Sequence, residues 1–117
     1  MTEFDIWVYR PGTGYQPGTD IVGYKVEATD GSIGKISKHS EEVGASHIVV
    51  DTGVWIFGKH VLLPAGTIKM IDVAEETVYV DRTKDQIKDA PEFDESKYSG
   101  EPSYLEQFAH YYNQPHM

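Results

Sequence analysis

The sequence predicts an all-β domain trimmed with two short helices at its C-terminal end. Three observations carry this. Short apolar runs recur between Ile21 and Asp81, separated by turn signals such as Asp30-Gly31, Thr52-Gly53, Gly58-Lys59 and Ala65-Gly66. Helix-start patterns occur only after Asp81. The length of 117 residues suits one small domain with tails.

Phe4, Ile6 and Val8 alternate with Asp5, Trp7 and Tyr9, the pattern of a short strand. Arg10 to Thr19 is dense in glycine and proline and reads as a connector. Residues 1–19 are therefore taken as an N-terminal arm, with the domain proper over 20–94 and a linker plus helix over 95–117. From Ile21 the period becomes two: Val22, Tyr24, Val26 and Ala28 share one face. Asp30-Gly31 supplies a tight hairpin turn. Ile33 and Ile36 are three apart, which breaks alternation, and Gly34 between them predicts a bulge.

Further strands are predicted over His47–Asp51, Val54–Phe57, His60–Leu63, Thr67–Val73 and Thr77–Asp81. Thr83-Lys-Asp-Gln86 fits a capping box, and Ala90-Pro91 should end that helix. An acidic linker follows from Glu92 to Glu101. Ser103-Tyr-Leu-Glu106 is a second capping box, opening an amphipathic helix with Leu105, Phe108 and Tyr112 on one face. Strands at such short, regular spacing predict a small sandwich or barrel.

The formal net charge of −9 argues against a phosphate-backbone binder and against docking on an anionic membrane. No apolar run approaches the ~20 residues of a membrane-spanning helix. Met1 to Asp5 has no cationic stretch before an apolar one, so no signal peptide is read there. With no cysteine, disulfides and thiolate metal sites are excluded. A cytoplasmic protein is the expectation.

The ordered pattern resembles the PRC-barrel family. Its carriers are Gly23 and Val26, Asp30-Gly31, Ile33-Gly34, Ile36, Ile48-Val-Val-Asp51-Thr-Gly53, Lys59-His-Val-Leu-Leu-Pro64, Val78-Tyr-Val-Asp81 and the stretch from Thr83 to Asp94. The family shares its fold with the cytoplasmic domain of the photosynthetic reaction-centre H subunit and the C-terminal domain of RimM-type ribosome-maturation factors. The resemblance implies a small open or partly closed β-barrel that self-associates and serves as an adaptor. It implies no catalytic residues and no cofactor.

The residues themselves yield little chemistry. His39, His47, His60, His110 and His116 form no helical His pair; only His47 and His60, with Asp51, are positioned to converge across neighbouring strands. Gly12-Thr-Gly14 and Gly31-Ser-Ile-Gly34 lack the sequel of a phosphate loop. Asp51, Asp72 and Asp81 stand at strand ends without an attendant nucleophile and base, and read as turn or helix caps.

The aromatic residues point elsewhere. Trp55 and Phe57 alternate with Val54 and Ile56, so one set must face outward unless covered. A homodimer contact is expected there. The tail residues Tyr104, Leu105, Phe108 and Tyr112 are the second candidate interface, because so short a helix needs a docking surface: its own barrel, a second subunit or another protein. The function expected is a non-catalytic, self-associating interaction module. The alternatives are a small-ligand or metal module near His47 and His60, and a ribosome or RNA-processing accessory acting through protein contacts.

Overall fold

The computed structural model of the chain describes residues 6–42, 45–53, 60–94 and 102–113. Six strands follow in order: β1 (Lys25–Ala28), β2 (Gly31–Ser40), β3 (His47–Asp51), β4 (His60–Pro64), β5 (Ile68–Asp72) and β6 (Thr77–Val80). A single 3-10 turn, Ala65–Thr67, joins β4 to β5. Two helices close the sequence, α1 (Lys84–Lys88) and α2 (Pro102–Tyr112). The fold is predominantly β, as the apolar spacing predicts.

The strands form one sheet in the order β4-β3-β2-β1-β6-β5. Neighbours are antiparallel except β1 and β6, which are parallel. The edge strands β4 and β5 are consecutive in sequence and separated by three residues. So short a link brings the two edges to one corner, and the sheet must coil to allow it. The ladder is nevertheless not closed, since β4 and β5 do not pair with each other.

Coiling places Val26, Ile33, Ile36, Ile48, Val50, Val61, Leu63, Ile68, Val78 and Val80 in a common core. Ile33 and Ile36 reach it together because β2 carries an irregularity between them. Val26 pairs with Gly34 while the next residue, Glu27, pairs with Ser32, leaving Ile33 as an extra residue. The bulge turns both isoleucines inward. A second irregularity inserts Ser37 opposite β3, where its hydroxyl donates to the Val49 carbonyl at 3.2 Å.

β3 and β4 are buried on both faces over most of their length. Their outer face is covered by α2, with Phe93 among the aromatic rings packed there. Leu105, Phe108 and Tyr112 all face inward from α2, so its apolar stripe is buried against the chain itself. Both edges are partly covered as well. The Ile71 N–H donates to the Thr13 carbonyl at 2.7 Å beside β5, and the Phe93 N–H to the His60 carbonyl at 3.2 Å beside β4. Covered edges resist pairing with other chains.

Several boundaries differ from expectation. Residues 6–8 form turns rather than a strand, although Ile6 is buried and accepts from the Gly66 N–H at 2.7 Å. Regular pairing starts at Lys25 because Gly23 takes φ +92° and reverses the facing of its neighbours; Ile21 is buried and Val22 exposed. The hairpin turn falls on Thr29-Asp30, with Gly31 already in β2. This shift frees the Asp30 carboxylate to accept from the Lys84 N–H at 2.8 Å, at the start of α1. The capping box of α1 forms as the sequence indicates, with Thr83 and Gln86 exchanging hydrogen bonds. α2 instead begins at Pro102, so Ser103 lies inside its first turn; proline suits a first helical position. The strand expected over Val54–Phe57, with Trp55 and Phe57, lies outside the described residues.

Candidate functional site

The alternation of β2, β3 and β4 decides which side chains reach the outer face. Lys38 pairs with Val49, and Asp51 with His60. Lys38 and His60 are exposed, while Ile48, Val50 and Val61 point into the core. A cleft of about 510 Å³ opens on this outer face, lined by Ser37, Lys38, Val49, His60, Glu92, Phe93 and Asp94. That size falls in the usual range for small-molecule sites.

The far wall is the segment 92–94, and it is tethered on both sides. Phe93 donates its N–H to His60, and its ring lies 6.1 Å from the rings of both Phe108 and Tyr104. The Asp94 N–H donates to the Tyr104 hydroxyl at 2.7 Å. Phe93 is thereby drawn under the surface, and Glu92 and Asp94 line the cleft beside it. In sequence these residues stand both at the end of the 20–94 domain and at the start of the acidic stretch Glu92–Glu101. An aromatic residue flanked by two carboxylates was the available signal that the stretch is docked.

The histidines do not converge. His47 pairs with Pro64 and His60 with Asp51, so the two sit at opposite ends of the β3–β4 ladder. The register thus rules out the alternative in which His47 and His60 face each other across the strands. Among the described residues no group of three or more His, Asp or Glu side chains is placed to hold a metal ion. His110 is exposed on α2, and His116 lies outside the described residues.

His39 and His47 instead anchor the arm. Tyr9 and Tyr15 stack with centroids 3.8 Å apart and planes at 8°. The Tyr9 hydroxyl lies 2.8 Å from His39 Nε2, and the Tyr15 hydroxyl donates to Glu41. His47 places Nδ1 2.6 Å from the Ala45 carbonyl and meets the rings of Trp7 and Phe93. Burial pushes both imidazoles below their ordinary pKa. At His47 this outweighs the Ala45 carbonyl and Glu42, which favour the charged form, while Lys38 opposes it. At His39 the neighbouring His47 adds to the lowering and Asp20 works against it.

This arrangement makes stability fall in mild acid. The unfolded imidazoles titrate near the ordinary value of 6.5, and the folded ones below it. As pH drops past 6.5 the unfolded chain takes up protons that the folded chain refuses, so folding weakens. Urea midpoints should be flat above about pH 7 and decline toward about pH 5. The double variant His39→Gln/His47→Gln should flatten that decline, and an unaltered pH profile in it would assign the acid sensitivity to other groups.

The strand-end carboxylates act as caps and ion-pair partners. Asp51 accepts from the Gly53 N–H at 2.9 Å and Asp72 from the Glu75 N–H at 3.1 Å. Asp81 accepts from both Arg10 and Arg82. Arg82 is buried and also donates to the Tyr112 carbonyl at 2.6 Å, tying the end of α2 to the strand that precedes α1. No protein-family model matches this chain, and no curated protein matches it.

Proposed function

We propose that the chain is a non-catalytic interaction module of the PRC-barrel type that self-associates and acts as an adaptor. The observation that carries the reading is the coiled ladder whose two edges meet through Ala65–Thr67. Such coiling is what an open barrel requires, and it agrees in order and spacing with the residues that resemble the family. The contact proposed for the second copy is the segment around Trp55 and Phe57. Sedimentation at two protein concentrations tests it: a dimer is expected, and Trp55→Ala should shift it toward monomer. A strict monomer before mutation overturns the self-association.

One observation favours a second reading, a small-ligand module. The cleft at His60 is concave and lined by polar groups from two strands and the 92–94 segment, with Val49 of a third strand beside them. Pockets of this kind orient a ligand by a few placed polar groups over an apolar floor.

A further inference from the structure

The cleft on the outer face of β2, β3 and β4 carries unequal charge. Among the described residues its lining holds one ammonium, Lys38, and two carboxylates, Glu92 and Asp94. With His60 neutral, one negative charge is in excess however Lys38 and Asp94 are engaged. Glu92 is exposed, and its carboxylate makes no hydrogen bond or ion pair among the described residues. The imidazole of His60 is exposed and likewise uncommitted there; it is the His60 carbonyl that accepts from the Phe93 N–H. That bond fastens the segment carrying Glu92 to the β4 edge at His60. Two uncommitted acceptors therefore line the cleft from adjoining stretches of backbone.

We propose that this cleft binds a small primary amine with an apolar body, its ammonium donating to Glu92 and His60 and its body lying over Val49 and Phe93. An ammonium carries three N–H donors and asks only for acceptors, which a carboxylate and a neutral imidazole supply. A zinc ion would want three or four converging ligands, and among the described residues no group of three or more His, Asp or Glu side chains is placed to hold a metal. An anionic ligand would meet the excess carboxylate of the lining and the formal charge of −9 on the whole chain. The same field raises the concentration of small cations at the surface. A cleft of about 510 Å³ is far larger than an ammonium, and Val49 and Phe93 give the remainder an apolar lining. Phe93 is held by the rings of Phe108 and Tyr104, and Asp94 is tethered by its N–H to the Tyr104 hydroxyl. The wall that presents Glu92 is thus in place before a ligand arrives, which limits the entropy lost on binding.

The inference rests on the small-ligand reading and is independent of self-association. The test is a titration of isotope-labelled full-length protein with phenethylamine, phenethyl alcohol and phenylacetate, followed by amide chemical shifts. The amine should perturb Val49, His60, Glu92 and Phe93. The alcohol should bind about tenfold more weakly, as expected for loss of a charged hydrogen-bond partner, and phenylacetate more weakly still. Glu92→Gln, an exposed substitution, should bring the amine down to the affinity of the alcohol. Equal affinity for amine and alcohol in the unaltered protein, or a preference for phenylacetate, overturns the amine and leaves a small-ligand cleft. An amine preference that survives Glu92→Gln overturns the role given to that carboxylate. Absence of shifts with all three compounds at about 10 mM overturns both the amine and the small-ligand reading.

Discussion

Replacing Gly34 with alanine is expected to prevent the native fold at ordinary temperature. A β-carbon at this position would stand 2.1 Å from the Asp51 carbonyl oxygen and 3.0 Å from both the Asp51 carbonyl carbon and the Thr52 α-carbon. All three are backbone atoms of the β3 end, so no side chain can swing aside. The glycine also holds φ at +147°, which disfavours any side chain by about 1–3 kcal/mol. Relief requires β2 and β3 to separate at the bulge that brings Ile33 and Ile36 into the core together. The sum should exceed about 4 kcal/mol, a large part of a stability of about 5–15 kcal/mol. The thermal midpoint should fall by roughly 15 °C or more, or the cooperative transition should vanish.

Gly31 supplies the control. It has the same φ of +147°, but its β-carbon would meet only the Lys84 side chain, at 3.3 Å. That side chain is flexible and can move. Gly31→Ala should therefore lose about 1–3 kcal/mol from backbone strain alone. If the two variants melt together, the close approach of β2 and β3 is not what Gly34 is needed for.

The contrast between these glycines shows what the sequence reveals and what it conceals. Ile33 and Ile36, three apart across Gly34, announce a bulge because no regular strand buries both. The Thr83–Gln86 capping box is equally local and equally legible. The hairpin turn is less so: the sequence marks Asp30-Gly31, yet the chain turns one residue earlier, with the Asp30 carboxylate accepting from the Lys84 N–H 54 positions away. Long-range contacts of that kind leave no local pattern. The same holds for the arm, where Tyr9, Tyr15 and His39 look unrelated until the fold stacks them. The cleft was half visible. His60 was singled out, but for a pairing with His47 that the β3–β4 register forbids. Lys38 and Asp94 belong to elements whose adjacency depends on Phe93 docking against α2.

That docking gives the second large expectation. Phe108 is fully buried, with Tyr104 at 5.6 Å and Phe93 at 6.1 Å between ring centroids. Truncation to alanine removes the ring from all of these contacts, and such changes destabilise by about 3–5 kcal/mol. The thermal midpoint should fall by roughly 10–20 °C. The loss should be the same at low and high protein concentration, because the ring packs against its own chain. A concentration-dependent loss, or a change in mass with no change in midpoint, would instead assign this face to a contact between chains. The effect should also extend past α2. Phe93 leans on Phe108, and the segment carrying Glu92 and Asp94 hangs on Phe93 and Tyr104. Phe108→Ala should therefore loosen one wall of the cleft while leaving Lys38 and His60 on their strands.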